Sequence, residues 1–157
     1  MRVWRYLLIL LPSFALAHGG TSPEVEAELE RLRAVMVEQG LAEPVGTNDT
    51  AMMGLLADSL SDAELRGREL LAARFLAMRA TPRSDGGMAS RSSWVIDCAT
   101  RELAIVDIAG FTAVTGEGEA ISIQTWDEAE VMAGLRKPGE DKLGRKMVDA
   151  SCAKIGR

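Results

Sequence analysis

The chain of 157 residues contains two cysteines, Cys98 in the segment SWVIDC and Cys152 near its end, and a covalent link between them would constrain the fold more than any other feature. Whether they are linked depends on where the protein resides, and the first residues bear on that. Arg2 and Arg5 form a short basic region, residues 6–16 are almost wholly apolar, and Ala15-Leu16-Ala17 places small residues where a signal peptidase reads them. Residues 1–17 are therefore expected to be a cleaved export signal, the apolar run being well short of the roughly 20 residues that span a bilayer. His18, not cysteine, follows the expected cleavage point, which argues against a lipid anchor. The expected location is periplasmic or secreted, with no stable membrane anchor.

In an oxidising compartment two cysteines permit one intramolecular bridge without a connectivity puzzle. Closing a loop of about 54 residues restricts the unfolded chain by roughly 4 kcal/mol in the usual model. That is a large share of the roughly 5–15 kcal/mol that holds a domain together. Two other roles are open to these thiols, an intermolecular bridge and a nucleophile. The nucleophile lacks a nearby base, because His18 is the single histidine.

The full chain carries 18 Lys and Arg against 23 Asp and Glu, and without Arg2 and Arg5 the balance is −7. No dense run of cations with interleaved aromatics occurs, so nucleic acid is not an expected partner.

From Ser22 the text SPEVEAELERLRAVMVEQG predicts an amphipathic helix: Ser22 as cap, Pro23 in the first turn, acids near the start and Gly40 at the end. Val25, Leu29, Leu32 and Met36 share one face, expected to pack on the domain. Residues 41–50, LAEPVGTNDT, read as a linker. In residues 53–82 two rules disagree. Propensity favours a helix, with Ser61 and Glu64 resembling a capping box. Alternation instead places Leu71, Ala73, Phe75 and Ala77 on one face of a strand, with Gly67 turning the chain between two strands. Beyond Trp94 the pattern predicts a meander, with strands through 94–98, 103–108, 111–114 and 120–126, the last two flanking the turn TGEGE. A polar stretch then leads to Pro138-Gly139 and a final helix over 140–153, whose apolar stripe includes Cys152.

The segments LLADSLSDAELRGRELLAARF, SRSSWVIDCATRELAIVDIAGF and KPGEDKLGRKMVDASC, with Asp97, Cys98, Arg101, Trp126, Pro138, Gly139 and Cys152 as spaced markers, resemble the surface-adhesin protein E-like family of exported bacterial proteins. The likeness covers about 100 residues from Leu55 onward. It implies a mostly antiparallel sheet with the terminal helix held by a Cys98–Cys152 bridge, and it moves residues 69–81 to strand against their propensity. The expected fold is α+β: an antiparallel sheet with an N-terminal amphipathic helix and a C-terminal helix tied to the sheet by a disulfide. The expected divisions are a signal over 1–17, a helix and linker over 18–50, and the β domain over 51–157.

The resemblance implies binding or adhesion without catalysis, with an envelope or host protein as partner, and open sheet edges allow a homodimer. No motif maps a binding residue. A hydrolase triad lacks its histidine and a phosphate cradle its glycine loop, so no catalytic residue or cofactor is expected. Asp58, Asp97, Asp107 and Asp127 leave a small periplasmic enzyme, or an enzyme inhibitor, as the alternative. A second alternative is copper held by an N-terminal His18, although such sites need further ligands. The eight methionines, Met52 and Met53 among them, read as core fillers, and Trp94 and Trp126 as core anchors more readily than as a stacking platform.

Overall fold

The computed structural model describes residues 21–156; the expected signal segment, its expected cleavage point and His18 lie outside them. Helix α1 spans Pro23–Glu38, followed by strands β1 Glu43–Thr47, β2 Ala51–Leu55, β3 Ser61–Leu65, β4 Arg68–Arg79, β5 Ala89–Asp97, β6 Glu102–Phe111 and β7 Ser122–Thr125, then helices α2 Glu128–Gly134 and α3 Lys142–Lys154. All strand pairs are antiparallel, in the order β1-β2-β4-β5-β6-β7 with β3 also on β4. The fold is α+β, one seven-stranded sheet with helices on both faces, and it carries the Cys98–Cys152 disulfide.

β4 organises the sheet. Its second half, Phe75–Arg79, pairs with β2, and its first half, Arg68–Ala72, pairs with β3. The chain thus follows one edge of β4 twice, leaving it only for a single 3₁₀ turn at Ala57–Ser59. That excursion is clamped by the Leu56 N–H donating to the Arg74 carbonyl at 2.9 Å and the Arg74 N–H donating to Ser59 Oγ at 2.9 Å. Between β3 and β4, Arg66 and Gly67 have φ of 50° and 75°, the left-handed pair that a two-residue hairpin needs. The turn expected at Gly67 is there, and the helix that Ser61 and Glu64 would have capped is not.

Burial explains why propensity misled over residues 69–81. Leu71, Ala73, Phe75 and Ala77 point to the face covered by α3, while Leu70, Leu76 and Met78 point to the face covered by α1 and α2; all seven are buried. A strand buried on both faces shows a continuous apolar run in place of alternation.

α1 forms as expected. Ser22 Oγ accepts from the Val25 N–H, and Leu29, Leu32 and Met36 are buried against Met52, Leu76 and Met78. The expected linker needs correction: residues 43–47 form β1, because the Asn48 side chain accepts from the N–H groups of Thr50 and Ala51 and turns the chain back onto β2. With α1 and β1 built into the same layers, residues 21–50 are continuous with the β domain. The polar stretch after Trp126 also needs correction. It holds α2, started by a capping box between Asp127 and Glu130 and seated by Val131. Residues 112–114 lie beyond the end of β6 instead of forming a strand, and the last helix begins at Lys142, not 140. No helix of the described residues is long and apolar enough to cross a membrane.

Where α1 crosses β2, the side chains of Met36 and Ala42 pack directly on the β2 backbone, and Gly54 is what permits it. A Cβ there would stand 2.3 Å from Met36 Sδ and 2.7 Å from Ala42 Cβ. Gly54→Ala is expected to destabilise the fold by about 1–3 kcal/mol in urea unfolding. Part of that cost should disappear in a Met36→Ala background, since Met36 supplies the nearer atom.

Candidate functional site

The two residues singled out first lie together. Cys98 and Cys152 are bonded, with Cα atoms 5.7 Å apart. Cys98 opens the β5–β6 turn, and Cys152 sits on the buried face of α3 beside Met147 and Val148. The rest of the turn serves the same junction. Asp97 Oδ1 accepts from the N–H groups of Ala99 and Thr100, both at 2.9 Å. Arg101, at φ 64°, closes the turn and pairs with Asp149 of α3. The markers Asp97, Cys98 and Arg101 are thus parts of a turn that receives a helix.

Asp97 belongs to a second network, centred on Arg68 at the start of β4. The Arg68 guanidinium donates to Asp97 Oδ2 at 2.8 Å, Thr100 Oγ1 at 3.1 Å and Glu102 Oε2 at 2.5 Å. Burial pushes the Asp97 carboxyl up, but the bonds from the Thr100 N–H, Arg68 and the Ala99 N–H together outweigh it and hold the group below its ordinary range. Glu102 is held low first by the Thr100 hydroxyl and then by Arg68. These groups engage one another across the start of β4, the β5–β6 turn and β6, as a structural tie does.

The other candidate acids have separate surroundings. Asp127 caps α2, Asp58 lies in the 3₁₀ turn, and Asp107 stands in β6 between Ser93 and Thr125. Among the described residues no group of three or more His, Cys, Asp or Glu could hold a metal ion. Met36, Met52 and Met78 fill the core under α1, as gap-filling predicts.

Three surface features remain that could engage something else. The first is the edge of β7. All four of its residues are exposed, Ile123 is 72% exposed, and residues 120–126 carry no charge. The other open edges are protected. β1 contains Pro44 and a bulge and is flanked by the Glu43–Lys154 ion pair, while β3 displays Asp62 and Glu64. The second feature is a cleft of about 660 Å³ between the end of α1, the 3₁₀ turn and the sheet, with Arg74 and Arg91 on its floor. The third is a pocket of about 370 Å³ beside β6, where Trp94 and Trp126 meet Ile105, Pro138 and Met147. Both tryptophans are half-buried and pack on core clusters, and the Trp94 indole N–H donates to Ser92 Oγ at 2.9 Å, so anchoring accounts for most of their surface. Sequence reading missed the cleft because Arg74 and Arg91 are far apart along the chain; only the β4–β5 register joins them.

Because Asp97 and Glu102 titrate below their ordinary values of 3.8 and 4.5 in the folded chain, each adds stability that is fully present above those values and is lost as pH falls through the lower folded ones. Arg68→Gln should therefore lower stability at neutral pH and move the acid-unfolding midpoint to higher pH, followed by circular dichroism. In comparisons with known proteins, no family model, curated protein or solved structure matches this chain.

Proposed function

We propose that this chain is an exported, disulfide-stabilised binding protein of the bacterial envelope, without catalytic chemistry, that engages an extended segment of a protein partner along β7. The observation that carries the reading is the contrast between edges: β1 and β3 bear proline, bulge or charge, whereas β7 offers exposed Ile123 and an uncharged run. An edge without proline, bulge or charge offers main-chain hydrogen bonds to an incoming strand, here over the four residues of β7, and side chains on alternate positions select it. The disulfide and the export-signal pattern over residues 1–17 support action outside the cytoplasm. The resemblance to surface-adhesin E-like proteins points the same way, with an envelope or host protein as partner.

The test is quantitative capture of envelope and host proteins on the oxidised chain and on Ile123→Lys, a change at a solvent-facing position that should leave thermal unfolding unaltered. Partners enriched on the wild type and lost on Ile123→Lys are expected, with light scattering reporting whether a second copy is the partner. Equal enrichment on both proteins would remove β7 from the interaction.

A further inference from the structure

The cleft at the end of α1 has a chemistry distinct from the β7 edge. Arg74 stands opposite Ser93, and Arg91 stands opposite Leu76, two residues farther along β4. The two guanidinium groups therefore rise from one sheet face as diagonal neighbours, residues that stand about 7–8 Å apart, somewhat less between Cβ atoms. Neither forms an ion pair among the described residues; Arg91 lies over the Phe111 ring, 5.9 Å from its centroid. Asp107, opposite Ser93 on β6, rises from the same face one strand from Arg91 but forms no ion pair with either guanidinium among the described residues, so the two like charges are only partly offset and an anion between them removes the remaining repulsion.

The negative groups nearby are partly neutralised. Glu43 is paired with Lys154 Nζ at 2.6 Å, which leaves Asp58 as the carboxylate of the lining without an ion pair among the described residues. The carbonyls that end α1 are occupied too, since Val35, Met36 and Val37 accept from the N–H groups of Gln39, Leu41 and Gly40. The remaining wall is apolar: Val37, Leu41, Ala42, Pro44, Leu56 and Ala57. Val37 is 57% exposed and adds an apolar side chain to the rim of the cleft. The cleft lies within the roughly 300–1,000 Å³ typical of small-molecule sites.

We infer that this cleft binds a long-chain carboxylate, its head group held between Arg74 and Arg91 and its hydrocarbon body laid along Val37, Leu41 and Leu56. Asp58 sets the limit on affinity, as a fixed negative charge in the same cleft.

Titration calorimetry with oleate tests this on the oxidised chain, with oleyl alcohol as the neutral counterpart and acetate as the head group alone. Saturable binding of one oleate per chain is expected, weakened about tenfold or more by Arg74→Gln or Arg91→Gln. Val37→Asp should also weaken it, and Asp58→Asn should tighten it. All four changes lie on the surface of the cleft, and unchanged thermal unfolding would certify the variants as folded. Absence of saturable oleate binding, equal binding of oleyl alcohol, or affinity indifferent to both arginines would each overturn the assignment. Because β7 is not involved, Ile123→Lys should leave oleate binding intact, so the two readings stand or fall separately.

Discussion

The Cys98–Cys152 bond decides where the last helix goes. α3 has 13 residues, a length at which an isolated helix is marginal in water, so it depends on docking. Its buried side chains, Met147, Val148 and Cys152, close the cluster made by Leu55, Leu71, Phe75, Ile96 and Leu103. Without α3 that face of the sheet would stand in water. The bond ties the helix to the β5–β6 turn, while Arg101 with Asp149 and Lys154 with Glu43 reach from the helix to the turn and to β1. Exposed ion pairs of this kind add little. The covalent tie and the apolar cluster therefore carry the docking.

A second consequence concerns β4. Once α3 covers one face and α1 and α2 most of the other, the middle of β4 is apolar on both sides except at Arg74, and its sequence loses the alternation by which a strand is usually recognised. The Leu- and Ala-rich text of residues 69–81 is thus the product of a central position. Sequence periodicity alone could not separate it from a helix, since the deciding information lies in helices distant along the chain. The α1 stripe was legible because a surface helix keeps one polar face, and Cys98 and Cys152 were legible because two cysteines in a chain expected to be exported have few alternatives. β1 was not legible: Pro44 and Gly46 look like turn residues, and they are tolerated because this is an edge strand with a bulge. Nor was α2, a seven-residue helix whose one buried apolar anchor, Val131, sits among polar neighbours.

The candidate surfaces follow from how the helices are distributed. α1 and α2 share a face but leave the sheet open between them, and Arg74 and Arg91 lie in that gap. β7 ends the sheet, short and uncharged, on the side away from the edge guarded by Pro44. Neither surface is visible in a linear reading, because each exists only through register: one joins β4 to β5, the other is defined by which strand has no neighbour. The residues that looked most motif-like, Asp97, Cys98 and Arg101, turned out to hold the frame together. The surfaces left for recognition are made of residues with no motif at all.

Amide hydrogen exchange on the oxidised protein and on the same protein with the disulfide reduced and alkylated tests the central claim most directly. If the bond holds α3 on the sheet, reduction should strip protection from Lys142–Lys154 first and most strongly, with β4 and α1 losing less. Equal protection of that helix in both redox states, or free thiols in folded protein recovered from the native compartment, would contradict the account.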